Sequence, residues 1–244
     1  MNIRFILVML SVAYFVFFAV ASAGPRLAIP DSAFNFGLVP QNAKVSHMFW
    51  LYSMGTDSLK FIKVSPGCGC TQAPLGQSEL APGDSTALEI IFSTGHYSGK
   101  QSKYPSVQTN EGGEVRNVQF IANVFTKPDA TYPAVFMPYK FDLSRYGEKD
   151  RLSLDFTLKN ITDHALDMSL VDSPPEMFKV NYSRKIKPGE TAKGKIEISK
   201  NYIDKQFEKS ITFQFNDKDN TRFTVPVTRV IRIPAADSSG SAIK

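Results

Sequence analysis

The chain repeats itself. Val45, His47, Phe49 and Leu51 alternate along one segment, and Leu152, Leu154, Phe156 and Leu158 alternate along another. Side chains two residues apart share a face of an extended strand, so each set predicts a strand with one face turned inward. Gly55-Thr56-Asp57-Ser58-Leu59 follows the first set, and Ile161-Thr162-Asp163-His164-Ala165-Leu166 follows the second. Leu51 to Leu59 and Leu158 to Leu166 are therefore both eight residues apart. Two turns of one design come next, Leu80-Ala81-Pro82-Gly83-Asp84 and Ile186-Lys187-Pro188-Gly189-Glu190. Proline presets φ and glycine accepts a positive φ, so Pro-Gly predicts a type II turn in each half. Leu88, Ile90 and Phe92 form the strand after the first turn. Ile196 and Ile198, with Gly194 in the first inward position, form the strand after the second. A late strand closes each half, over 118–125 and 223–230.

A repeat of this length constrains the fold more than any single motif. Short strands at this spacing, without a sustained helical period, predict an all-β protein of two tandem immunoglobulin-like β-sandwich domains. The frequent Phe, Tyr, Val, Ile and Thr, with 15 glycines and 15 prolines breaking the apolar runs, agree with strands joined by turns. Lys127-Pro128-Asp129 and Pro133 interrupt the pattern between the halves. The expected organisation is a leader at 1–23, a first sandwich at 24–126, a second at 127–234 and a flexible polar tail at 235–244.

The leader reads as a secretory signal peptide. Arg4 supplies the positive start, residues 5–20 are an unbroken apolar or small run, and Ala21-Ser22-Ala23 is a small-residue cleavage site. The competing reading is an uncleaved membrane anchor, since the run approaches the length of a spanning helix. No cysteine follows Ala23 to carry a lipid. Cleavage predicts an exported protein of the periplasm, cell surface or medium, with no stable membrane insertion. Charge adds little: residues 24–126 hold 7 basic and 7 acidic side chains, and residues 127–244 hold 20 and 16, a net of +4. The basic residues are interspersed with acids, as a solvated face is, and with export this argues against nucleic acid as a partner.

Phe34-Asn35-Phe36-Gly37, the strand at 45–51, Cys68-Gly69-Cys70-Thr71, Leu80 to Asp84 and Thr109-Asn110 together resemble a bacterial Ig-like family, "domain of unknown function 1573". The resemblance covers about residues 28–126 and implies an Ig-like fold and an exported location, with no known reaction. The second half keeps the scaffold and the Pro-Gly turn, but Pro174-Pro175-Glu176 stands where the first half has its cysteine loop.

Cys68 and Cys70 are the only cysteines in the chain. Outside the cytoplasm they form a local disulfide, a soft-metal site or a redox-active pair. The disulfide closes a very small ring, which predicts strain and easy reduction, with Gly69 relieving the strain through its free φ and ψ. The metal reading takes a soft ion such as copper(I), which two thiolates prefer. Two sulfurs make a thin site, and Met48, Met54, His47 and His96 are the nearby candidates to complete it.

The remaining candidates read as structure. His47 shares the inward parity of its strand, which predicts a buried or cross-strand role. His96 lies in a glycine-flanked loop and His164 in a turn. Asp217 and Asp219 sit in Asn216-Asp217-Lys218-Asp219-Asn220, a hairpin turn that lacks the glycine and distant glutamate of an EF-hand. No phosphate-cradling glycine loop, zinc-protease motif or serine elbow is present. The chain is thus expected to be a non-catalytic protein that binds protein partners or serves a structural role, without a cofactor unless copper binds. A copper-handling or thiol-redox protein centred on Cys68 and Cys70 is the first alternative. A two-domain periplasmic chaperone is the second, with Arg26 and Lys127 near suitable places for a basic cleft.

Overall fold

The structure, a computed structural model, describes residues 24–113 and 115–232. The leader at 1–23 and the tail at 235–244 lie outside the described residues. Two short 3-10 turns, Pro128–Ala130 and Lys200–Tyr202, are the only helical elements among the described residues, and every other regular element is a strand. The all-β expectation holds.

Two hydrophobic clusters form the core. The first gathers Phe36, Val45, Phe49, Leu51, Leu88, Ile90, Phe92 and Phe120 among others. The second gathers Phe136, Phe141, Phe156, Leu158, Ile196, Ile211, Phe213 and Phe223. The predicted inward parity places Val45, Phe49 and Leu51 in the first cluster, and Phe156 and Leu158 in the second. Leu152 departs from it: the strand begins one residue later, Ser153–Asn160, and Leu152 is exposed. At Gly194 an added Cβ would lie 2.2 Å from the Phe156 ring. The aromatic ring fills the space a larger inward residue would need.

The repeat is also visible in the hydrogen bonds. Leu59 pairs with Leu80 in the first half, and Leu166 pairs with Ile186 in the second. Ser53 N donates to Asp84 O and Asn160 N to Glu190 O, both at 2.9 Å. In each turn the residue after glycine closes onto the residue before proline: Asp84 N donates to Ala81 O, and Glu190 N to Lys187 O. Gly83 and Gly189 hold φ of 86° and 70°, the positive values a type II turn demands.

A sheet continues from one half into the other. Its order runs Lys185–Ile186, Leu166–Asp172, Phe207–Phe215, Arg222–Arg229, then Ala33–Pro40, Gln119–Phe125 and Gly99–Lys103. Leu38 and Phe223 are in parallel register at the crossing. Thr224 Oγ1 donates to Phe36 O at 2.6 Å across it. Gly37 makes the approach feasible, because a Cβ there would lie 2.1 Å from Arg222 O and its φ is +66°. The pairing between Ala33–Pro40 and Gln119–Phe125 shifts register at this point, as a β-bulge does. The Phe34 to Gly37 segment therefore carries the sheet from the first unit to the second.

Polar contacts extend the joint beside the sheet. Ser46 N donates to Ser210 Oγ and Ser210 Oγ donates back to Ser46 O, both at 2.9 Å and both buried. Lys44 pairs with Glu208 at 2.6 Å, and Lys209 pairs with Glu89.

Candidate functional site

The cysteine loop lies between Leu59–Ser65 and the short edge strand Thr71–Gln72. Cys68 and Cys70 are joined as a disulfide, S–S 2.02 Å. In this form neither sulfur is a thiolate, so the loop offers a soft ion no ligand. The backbone is pinned on both sides. Thr71 N donates to Cys68 O at 3.3 Å and Ser93 N to Cys70 O at 2.8 Å, while Thr71 pairs with Phe92 in the sheet. The positive φ of the loop belongs to Gly67, at 81°. Gly69 has no positive φ, and a Cβ there would meet nothing. The expectation that Gly69 supplies the conformational freedom is thus corrected in favour of Gly67.

Thr71 ties the loop's chemistry together. Its hydroxyl lies 3.2 Å from Cys68 Sγ and 3.7 Å from Cys70 Sγ, and Thr71 is 5% exposed. Cys70 packs against the first core cluster, whereas Cys68 is not part of that contact.

A second feature lies over the joint. Two adjoining hollows of about 690 and 340 Å³ share Asn35, Ile121, Asp219, Asn220 and Arg222. Both units line them. Arg222 is fixed in place: its Nε donates to Gln214 Oε1 at 2.8 Å, its Nη1 to Asn35 O at 3.2 Å, and it lies over the Phe34 ring. Tyr132, 54% exposed, lines the larger hollow with Lys100 and Asn123. A third hollow, of about 520 Å³, also borders Phe34 and Arg222. It is lined by Trp50, Met48, His47 and Asp172.

The other candidates fall where structure explains them. His47 stacks on Phe34 at 3.6 Å, meets Phe49 edge-on and places Nδ1 2.9 Å from Asp172 Oδ2. His96 is exposed in its loop, and Met54 is exposed. The His164 ring pairs with its neighbour Asp163, whose carboxyl that bond holds below the usual carboxylate range. Asp217 accepts from Thr221 N and Thr221 Oγ1, both at 2.7 Å. Its oxygens are thereby committed to the hairpin turn. Arg26 and Lys127 are exposed, and no contact brings them into one cleft. Among the described residues no cluster of three His, Cys, Asp or Glu side chains forms.

Several residues that matter were not marked by any local sequence signal. Arg229 has a fully buried side chain, 2.9 Å from Asp150 Oδ1, and donates to the carbonyls of Leu143 and Ile203. Asn160, also buried, donates to His164 O and Ile186 O and accepts from Thr162, tying the 161–164 turn to the Pro-Gly turn. Asp172, Lys209 and Glu89 complete the joint. Nothing in the strand Arg222–Arg229 marks Arg229 in advance, because its carbonyl partners lie 26 and 86 residues away.

The fold and these sites define an all-β protein of sandwich-like sheets with a small disulfide loop at one edge. Residues 27–124 match the family described as "Protein of unknown function (DUF1573)", the family that the first half resembles in sequence. No curated protein matches the chain. Among solved structures, it is similar to a protein of unknown function from Porphyromonas gingivalis W83, 14% identical, with 83% of this chain and 98% of that one covered and a TM-score of 0.35. It is also similar to the Vibrio cholerae VesB protease, 15% identical, covering 41% and 31%, TM-score 0.35. Domains 5-6 of the S-layer protein SbsC are 14% identical, covering 85% and 99%, TM-score 0.25.

Proposed function

We propose that this chain is an exported, non-catalytic binding protein that works in the periplasm or at the cell surface, with proteins as its partners. The observation that supports it is the sheet shared by the two units. It holds them as one body and builds the hollows around Arg222 from residues of both. Binding surfaces on β-sandwiches form from loops and sheet edges held on a rigid scaffold. Here the scaffold carries its hollows at the joint, where any change of angle would alter their shape. The mix of fixed guanidinium, side-chain amides and an exposed tyrosine suits a partner with both polar and aromatic contacts.

The experiment is site-specific photo-crosslinking in living cells, with a photoreactive residue in place of Tyr132 and, as control, in place of Lys193 on the opposite sheet. A discrete adduct in the exported fraction at Tyr132 and none at Lys193 is expected. Retention of the protein in the cytoplasm, or identical labelling at both positions, would remove the reading.

A further inference from the structure

We propose that Cys68–Cys70 is a thiol–disulfide exchange site, oxidising a dithiol on a partner molecule. Three observations carry it, independently of the binding role above. First, the bond does little as a staple. A disulfide stabilises mainly by closing a loop in the unfolded chain, and the gain shrinks as the loop gets shorter. This one spans a sequence separation of 2. Second, the loop has its own supports. The backbone hydrogen bonds from Thr71 N and Ser93 N hold both cysteine carbonyls, so the loop keeps its place when the bond opens. Third, the two sulfurs are unlike. Cys70 leans on the apolar core and Cys68 does not. The Thr71 hydroxyl, buried beneath them, has the two sulfurs as its partners among the described residues.

The step follows from this asymmetry. A partner thiolate attacks Cys68 Sγ from the side away from the core. A bond forms between the partner sulfur and Cys68 Sγ as the Cys68–Cys70 bond breaks, and its electron pair leaves on Cys70 Sγ. The Thr71 O–H donates to that sulfur, which lowers the cost of the charge beside the core. A second thiolate on the partner then attacks the partner's own sulfur in the mixed disulfide and releases Cys68 as thiolate. The two protons lost by the partner thiols go to Cys68 and Cys70. The partner dithiol is oxidised by two electrons and the cysteine pair is reduced by two.

The test uses the full chain purified without reductant and exposed to millimolar reduced glutathione, with alkylation and intact mass read over time. Reduction in native buffer at a rate within about tenfold of that in denaturant is expected. Thr71→Val should slow it roughly tenfold, the worth of one hydrogen bond to a charged sulfur. Cys70→Ser, exposed instead to oxidised glutathione, should accumulate a single glutathione adduct on Cys68, with glutathione thiolate as the leaving group. Reduction that occurs only after unfolding would overturn the proposal and leave the bond structural. So would an adduct that oxidised glutathione forms on Cys70 in Cys68→Ser as readily as on Cys68 in Cys70→Ser. Because the wild-type rate alone decides the first point, a variant that fails to fold does not spare the proposal.

Discussion

His47 Nδ1 lies 2.9 Å from Asp172 Oδ2 and joins the first unit to the second. The histidine ring is held flat on Phe34 and edge-on to Phe49. Its position is therefore set by the first core, and the carboxylate that meets it comes from the strand Leu166–Asp172 of the other half. Both side chains are mostly buried, so solvent screens the pair less than a surface pair. His47→Ala removes the stack and leaves Asp172 without its partner. The expected loss is about 1–3 kcal/mol in urea unfolding, against less than about 1 kcal/mol for an exposed pair such as Lys185–Asp167. A double-mutant cycle of His47→Ala with Asp172→Ala should show coupling of at least about 0.5 kcal/mol. Strict additivity would mean that the pair does not join the units.

Gly37 predicts a sharper effect. Gly37→Ala places a methyl against Arg222 O and forces a side chain into a positive φ. The expected cost is about 2–4 kcal/mol, with the crossing of the shared sheet failing before either core. Limited proteolysis should then cut between the units at 126–133 much faster than in wild type. An unchanged cleavage rate would show that the crossing does not hold them.

Arg229 tests the second core. Its guanidinium donates to carbonyls that Arg229→Met would leave buried and unpaired. The expected loss is about 3–5 kcal/mol, and Asp150→Asn, which keeps those carbonyls satisfied, should cost less. Thermal unfolding of both variants decides the order.

Lys140 gives a pH dependence. Partial burial lowers its ammonium below the usual lysine value of 10.5, and its Nζ donates to Asn42 O at 2.8 Å across the joint. A base with a lowered folded value binds fewer protons folded than unfolded over the range between the two values. Stability from this group therefore rises with pH between the folded value and 10.5. Below the folded value the cost of burying the charge is present in full. Lys140→Met should remove this rise, so the stability difference between variant and wild type should shrink as pH is raised toward 10. A difference that stays constant with pH would contradict it.

Much of the scaffold was legible because period-two patterning and Pro-Gly turns are local. Leu88, Ile90 and Phe92 alternate inward as their spacing says, and Gly83 and Gly189 turn as their neighbours require. Ser53 and Asn160 stand two residues after Leu51 and Leu158, and each donates to its own Pro-Gly turn, as the equal spacing of the leucines implies. The shared sheet was not legible. Leu38 meets Phe223 across 185 residues, and nothing in either strand marks which other edge it will join. In the sequence Gly37 stands out only as part of a family motif; its physical reason is Arg222 O lying above it. The same holds at the cysteine loop. Gly69 separates the sulfurs in the sequence, yet Gly67 bears the positive φ. In the sequence Thr71 is the end of a motif, and its hydroxyl contacts with both sulfurs follow from the folded loop.

The common sheet should make the two repeated units move as one rigid body. Residual dipolar couplings measured on the backbone amides of residues 33–125 and 134–229 test it most directly. With the units joined at Leu38 and Phe223, one alignment tensor should fit both sets. Two tensors of different magnitude or orientation would mean that the units move independently, and the shared crossing at Leu38 and Phe223 would be contradicted.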